Sequence, residues 1–203
     1  MVLIHDVAVN HLRPTQITVG MIEVHEKKVH LAKLREHHHH LKEFLTAHPI
    51  PVVEGPGERY FVIDHHHLGR ALWEANLDGA SLTIVEDLSD LDLGDFWREM
   101  DKQQWVHPFD ETGRKHLFDV IPHHLRELRD DPYRSLAAHV RHAGGYDKSQ
   151  KPFAEFAWAD YLRPRVPLAL LNEHFEQAVA SALELAGRPE CAALPGYRRP
   201  EER

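Results

Sequence analysis

The sequence has one cysteine and no long hydrophobic run, and both absences narrow the class of protein. Cys191 has no partner for an internal disulfide, and its Pro/Gly-rich surroundings make it a poor candidate nucleophile. No apolar stretch approaches the roughly 18–20 residues that span a bilayer, and the first residues lack a basic region followed by an apolar core. We therefore expect a cytoplasmic protein with no membrane partner.

Basic residues are fewer than acidic ones. The chain carries 24 Lys and Arg against 32 Asp and Glu, a formal net charge of −8. Tight sequence-independent binding of nucleic acid by the whole surface is not favoured, because such binding needs clustered cations; a local basic cleft stays open. Histidine is abundant, and protonation of all 19 would change the charge from −8 to +11. The charge argument therefore holds near neutral pH and fails near pH 5–6.

Length and patterning predict a folded α+β protein. The hydrophobic fraction is 42% of 203 residues and is spread along the chain, enough for one large or two small domains. Residues 12–88 alternate strand and helix patterns, whereas residues 89–188 are mostly helical. The Pro/Arg/Glu-rich residues 189–203 are predicted to form a flexible tail.

Several element predictions bear on function. Residues 24–47 form a helix in one or two pieces, with the apolar spacing interrupted at 37–40. Residues 50–63 read as two strands around a Gly-Pro-Gly turn. A helix follows at 66–75, with Leu68, Ala71, Leu72 and Ala75 on one face. In the second half, 168–186 is the clearest amphipathic helix.

The segment Asp64-His-His-His67 is the strongest candidate site. A strand ends there and a helix begins, and the first N–H groups of a helix attract anions, phosphate above all. Arg70 lies four residues after His66 and three after His67, so it neighbours both. Asp64 at the cap position can accept a backbone N–H or orient an imidazole. The alternative, equally supported by spacing, is that Asp64 only caps the helix and the histidines are exposed.

A metal site is a second interpretation of the same segment. Neutral imidazole is a common metal ligand, but successive helical residues point about 100° apart, so three adjacent histidines cannot face one ion. Further ligands must come from elsewhere, and the metal stays unknown. Glu23 and Glu26 either supply an acid or base to the site or form a solvated face. The run at 37–40 wraps around a helix and is interpreted as surface.

The order strand, Asp64-His-His-His67, Arg70-Ala-Leu resembles the signature of the ParB/sulfiredoxin superfamily, whose usual form is Asp-Gly-His-His-Arg. The flanking strands at 49–53 and 82–86 are similar to those of that fold. More narrowly, residues 12–165 resemble the ParB-like nuclease family. The stretches that carry this resemblance are Val19-Gly-Met21, Pro51-Val-Val53, Gly55-Pro-Gly57, Phe96-Trp97, Asp131-Pro-Tyr-Arg-Ser-Leu136, Gly144-Gly-Tyr146 and the aromatic segment 152–160.

The resemblance implies a ParB/sulfiredoxin-like N-terminal half that holds a nucleotide (ATP, ADP or CTP) through its phosphates, with a divalent metal to neutralise charge. The implied ligand contacts are His65, His66, His67 and Arg70. The implied catalytic residues are Asp64 to orient, His66 and His67 to stabilise charge or transfer protons, and Glu23 or Glu26 as a base.

The chain also departs from the superfamily pattern. Leu68 stands where the usual form has arginine directly after His-His. The sulfiredoxin cysteine is missing, which excludes that redox reaction, and no helix-turn-helix is evident after residue 88, so centromere binding is not expected. The Asp-His-His core is also similar to that of metal-dependent phosphoesterases, but those need an earlier Asp-x-Asp, whereas Asp90-Leu-Asp92 follows the segment.

The leading functional hypothesis is therefore a ParB-like nuclease with phosphoryl-bond chemistry at the His-rich start of a helix. The alternatives are a nucleotide-dependent kinase of a free amino acid, and a non-catalytic nucleotide-binding module whose helical half docks a protein. The expected partner is a phosphate-bearing ligand. Nucleic acid as a substrate and a homo-oligomer both stay open.

Overall fold

The computed structural model describes residues 2–199, except for the side chain of His38. Backbone contacts divide the chain into two compact units, residues 1–130 and 131–203. The boundary predicted at 88/89 therefore falls inside the first unit, because residues 93–121 pack against the sheet of that unit. No helix among the described residues is long and apolar enough to cross a membrane.

The described part of the first unit contains seven strands: β1 (Val2–Ala8), β2 (Leu12–Pro14), β3 (Thr18–Val19), β4 (Ile50–Gly55), β5 (Arg59–Val62), β6 (Gly79–Asp87) and β7 (Arg129–Asp130). Five of them form a mixed sheet of order β1-β6-β4-β5-β2. The pairs β1·β6 and β4·β5 are antiparallel, whereas β6·β4 and β5·β2 are parallel. A separate parallel pair joins β3 to β7.

Strand alternation gives the first unit two apolar clusters. Successive side chains of a strand point to opposite faces, so Val52 of β4 packs in one cluster and Val53 in the other. The amphipathic helix that begins at His66 buries Leu68, Ala71 and Leu72 in the first cluster, as its spacing predicts. The helices of this unit are α1 (Met21–Arg35), α2 (His38–Ala47), α3 (His66–Glu74) and α4 (Leu93–Lys102).

Glycine at the end of β4 permits close packing of aromatic rings. A Cβ at Gly55 would lie 2.6 Å from the Phe61 ring and 2.7 Å from the Phe96 ring, distances that real contacts do not reach. The two rings pack with centroids 4.4 Å apart. This contact places α4 on the strand that leads to the candidate site.

The second unit is helical and has its own apolar cluster. Its helices are α5 (Pro132–His142), α6 (Ala154–Leu162), α7 (Leu168–Glu173) and α8 (Phe175–Ala186). Buried Trp158 stacks on Tyr146, with ring centroids 4.2 Å apart, inside this cluster. The helix predicted over 168–186 is interrupted at His174, so it forms two helices.

The predicted flexible tail is replaced by packed structure over residues 189–199. Cys191 is fully buried in the cluster of the second unit. The indole Nε1 of Trp158 donates to the carbonyl of Pro195 at 2.7 Å, and the Asp147 N–H donates to the carbonyl of Gly196 at 2.7 Å. The buried Cys191 and these two hydrogen bonds hold the segment against the second unit, although its composition predicts no packed structure. Residues 200–203 of the predicted tail lie outside the described residues.

Candidate functional site

The site is built around the buried segment 15–20, which leads from β2 to α1 and meets the start of α3. The N–H of Thr15 donates to Nε2 of His66 at 3.2 Å, and the Thr15 hydroxyl donates to the carbonyl of Val62 at 2.7 Å. These bonds hold the end of β5 and the first residue of α3 against the segment.

His66 is neutral in the folded protein. Burial lowers the pKa of this histidine to about 3, and the charge of Asp64 and a hydrogen bond with the Val62 backbone offset burial only in part. Because Nε2 accepts the Thr15 N–H, the ring proton lies on Nδ1. The structure therefore places this predicted catalytic and ligand-binding residue in the interior, as a ring that positions Thr15.

His67 joins the first turns of two helices. Its Nε2 accepts the N–H of Gly20, the N-cap of α1, at 3.1 Å, and lies 3.6 Å from Oε1 of Glu23. The side chains of His67 and Glu23 are 13% and 10% exposed, so the pair is largely shielded from water. The backbone N–H of Met21, which follows Gly20, donates to Oδ1 of Asp130 at 2.9 Å. The structure thus brings predicted residues His67 and Glu23 together, whereas Glu26 lies on the exposed part of α1.

Asp64 and His65 form the exposed edge of the site. His65, with a left-handed φ of 63°, is the N-cap of α3, and no side chain caps the helix. Asp64 was the predicted cap, but its Oδ1 accepts the N–H of His65 at 2.6 Å instead. The helix begins at His66, as its spacing predicts, and the N-cap is therefore His65 and not Asp64.

Arg70 is engaged with backbone oxygen atoms. Its Nη1 donates to the carbonyls of Leu125 at 3.1 Å and Leu128 at 3.0 Å, and also to that of Arg126. Its Nε donates to Glu74 at 3.1 Å. Arg70, the residue predicted to contact phosphate, therefore uses its guanidinium to hold segment 125–128 against α3.

A second hydrogen-bonded cluster, which is not among the predicted site residues, lies in the loop after α4. Oδ2 of Asp110 lies 2.6 Å from Nε2 of His116, and Oδ1 accepts N–H groups of Thr112 and Arg114 and the Thr112 hydroxyl. Burial raises the pKa of Asp110, but these hydrogen bonds outweigh it and lower the pKa well below its usual range.

The loop that holds Asp110 is connected to the site through Thr15, whose carbonyl accepts the N–H of His107 at 2.8 Å. The Asp-x-Thr-Gly pattern at 110–113 is a recognisable turn signal, but nothing in the sequence pairs Asp110 with a histidine six residues away. Thr15 and Gly20 carry no sequence signal for their contacts with His66 and His67, because those contacts join distant parts of the chain.

The described side chains do not fit a metal centre held by the protein alone. Within residues 2–199, no group of three or more His, Cys, Asp or Glu side chains is arranged to hold an ion. At the candidate site, the Nε2 of His67 beside Glu23 is already an acceptor for a backbone N–H. No described residues are therefore proposed as ligands of the divalent metal that the resemblance implies.

A mixed sheet with helices, followed by a helical unit, defines an α+β protein. The sequence pattern of the family described as "Putative ParB-like nuclease" matches residues 5–164. The chain therefore belongs to the ParB-like nuclease family, as the resemblance predicts.

Among solved structures, protein Atu1540 from Agrobacterium tumefaciens is similar to this chain. The two are 40% identical, with a TM-score of 0.90 over 98% of this chain and 97% of that one. No curated protein matches the chain.

Proposed function

We propose that the start of α3 binds a phosphate-bearing ligand, such as ATP, ADP or CTP, and that the chain acts on its phosphoryl bonds. The observation that carries the proposal is the exposed N-cap at His65, which leaves α3 without a side-chain cap. Backbone N–H groups at such a helix start suit an anion. Membership of the ParB-like nuclease family supports phosphoryl-bond chemistry in general.

The proposed roles follow the environment of each side chain. The imidazole of His65, exposed at the helix start, contacts the ligand. His66 and Arg70 are positioning residues: one fixes Thr15 and the other fixes segment 125–128. His67 and Glu23 form the proton-transfer pair, because they are adjacent and shielded from water. Asp64 holds the left-handed turn through the His65 N–H.

Calorimetric titration of the full chain with CTP, ATP, ADP and inorganic phosphate tests the binding proposal. We expect saturable binding that His65→Gly weakens at least about tenfold, because glycine keeps the left-handed turn and removes only the imidazole. His39→Ala on α2, at an exposed histidine, is the matched control and should bind normally. Absence of binding to all four compounds would remove the proposal.

A non-catalytic nucleotide-binding module is a second candidate. It is favoured by one observation: Nε2 of both His66 and His67 already accepts a backbone N–H, which limits proton transfer through these nitrogens. Incubation with labelled nucleotide and with single-stranded DNA distinguishes the candidates. Turnover that Glu23→Gln abolishes, with nucleotide affinity retained, supports catalysis, whereas binding without turnover supports the module. Transfer of label to a free amino acid would support the kinase alternative.

A further inference from the structure

We propose that a cavity between α2 and the β1–β6 edge of the sheet binds a small zwitterion with an apolar body, such as an apolar α-amino acid. The cavity has a volume of about 310 Å³, at the small end of the range of roughly 300–1,000 Å³ for ligand pockets. Its lining comes from residues 5–6, 41–42, 45–46 and 77–81. It shares no residue with the start of α3, so the proposal goes beyond the function proposed above.

The floor of the cavity is apolar. Leu41 and Ala80 are 8% and 2% exposed and belong to the apolar cluster of the first unit, and half-buried Leu45 and Leu77 pack against that cluster. Four aliphatic side chains in contact with one space favour burial of a hydrocarbon group of a ligand. An apolar side chain of about four carbons matches that floor.

Charged groups of both signs line the same cavity without pairing. Lys42 projects from α2, and Asp6 and Asp78 belong to the sheet side. None of the three forms an ion pair with a described residue, whereas Arg98 and Lys102 on α4 each pair with an acid three residues away. Opposite charges that face one space but stay apart complement a ligand that carries both: a carboxylate for Lys42 and an ammonium group for the aspartates.

The backbone at the cavity is irregular where the acids lie. The register of β1 against β6 shifts between Ile4 and Val7, and Asp6 within this bulge has a left-handed φ of 56°. Left-handed backbone at a residue other than glycine is uncommon and is found often at ligand sites. Beside the bulge, Nδ1 of His5 lies 3.0 Å from Oγ of buried Ser81, which gives the wall a polar pair as well.

Calorimetric titration of the full chain with leucine, valine, isoleucine, methionine and phenylalanine tests the proposal. We expect saturable binding of at least one of them below about 10 mM. For leucine, the matched probes are 4-methylpentanoate, which lacks the amine, isopentylamine, which lacks the carboxylate, and glycine, which lacks the side chain. Each should bind at least about fivefold more weakly, because each loses one of the three complementary contacts.

Variants locate the binding in this cavity. Lys42→Met and Asp78→Asn should each weaken amino-acid binding at least about fivefold, and Lys102→Met on α4 is the matched control that should bind as the unaltered chain does. Gly79→Ala places a methyl group 3.6 Å from Oδ1 of Asp6, an ordinary contact distance, and should also weaken binding while the chain still folds. Thermal unfolding of each variant verifies folding.

Three results would overturn the proposal: no saturable binding of any of the five amino acids, binding unchanged by both charge variants, or equal affinity for leucine and isopentylamine. Nucleotide binding at α3 is measured separately in the same samples. If the chain binds nucleotide but no amino acid, or an amino acid but no nucleotide, the result shows which of the two proposals fails.

Discussion

Three consecutive histidines have different properties because each ring meets a different environment. His65 is exposed at a left-handed turn, His66 is buried and neutral, and His67 is partly shielded beside a carboxylate. A run that looks uniform in sequence is therefore divided into an exposed ring, a buried neutral ring and a ring beside a carboxylate, and the proposed function gives each a different role. Chemical arguments about such a run have to be made one ring at a time.

The neutral ring of His66 predicts loss of stability in mild acid. Its folded pKa of about 3 lies below the ordinary value of 6.5, so the unfolded chain takes up a proton that the folded chain excludes. Stability is complete above pH 6.5 and falls as the pH decreases toward 3. At pH 5 the loss from this group is about 2 kcal/mol.

Urea unfolding at pH 7 and pH 5 measures this effect. In His66→Gln, whose amide oxygen can still accept the Thr15 N–H, this part of the pH dependence should be missing. The difference in unfolding free energy between the two proteins should narrow by about 2 kcal/mol from pH 7 to pH 5. A constant difference would mean that the ring titrates normally.

Arg70 is predicted to act on stability more than on binding. Arg70→Met leaves several carbonyls of segment 125–128 without their donor and should cost about 1–3 kcal/mol of unfolding free energy. Arg126→Met, at a side chain that is 52% exposed, is the control and should change stability by less than about 0.5 kcal/mol. Unchanged stability with lost nucleotide binding would instead make Arg70 a phosphate contact.

At the scale of elements, two helices begin with aspartate caps that have different hydrogen-bond partners. Asp92 accepts the Asp95 N–H at 2.8 Å at the exposed start of α4. Asp131 accepts the Tyr133 N–H at 3.0 Å at the start of α5, and it also receives both terminal nitrogens of Arg163, at 3.1 and 2.9 Å. The same residue type thus provides a local cap in one helix and a cap joined to a buried ion pair in the other.

The two caps predict different costs of removal. Asp92→Ala should cost about 0.5–2 kcal/mol, the range for a lost N-cap. Asp131→Ala should cost about 3–5 kcal/mol, because the Arg163 guanidinium loses its two-point contact with a carboxylate that is 1% exposed and keeps the half-exposed Asp160 at 3.4 Å. Chemical denaturation of both variants measures the difference, and equal costs would show that the ion pair adds nothing to the cap.

At the scale of the whole molecule, the two units have separate apolar clusters within residues 2–199, two in the first unit and one in the second. Leu136 is fully buried in the second unit, and Leu136→Ala should destabilise that unit by about 2–5 kcal/mol. Hydrogen exchange followed by mass spectrometry should then accelerate across 131–199 and stay unchanged in β4 and β6. Equal acceleration in those strands would indicate that the units unfold together.

Local pattern was sufficient to predict the elements that carry the site. The amphipathic spacing from Leu68 to Ala75 corresponds to α3, the run before Gly55-Pro-Gly57 to β4, and the interruption at 37–40 to the break between α1 and α2. Residues 2–8 form β1, and local pattern did not indicate this strand because its partner β6 is about 80 residues away.

The hydrogen bonds that connect the residues of the site could not be predicted from the sequence. The contacts of Thr15 with His66, Gly20 with His67 and Arg70 with 125–128 join residues 47 to 58 positions apart. Spacing rules cover neighbours on one helix or strand, and they say nothing about which distant amide or carbonyl a side chain meets. For that reason the histidines and Arg70 were identified as a group while their individual partners were not.

The fully buried Cys191 gives the second unit a natural reporter of opening. Its thiol donates to the carbonyl of Leu185 at 3.4 Å, so a thiol reagent reaches it only when the segment detaches. The rate of labelling by this reagent, measured on the unaltered chain, then gives the rate at which residues 189–199 separate from α8.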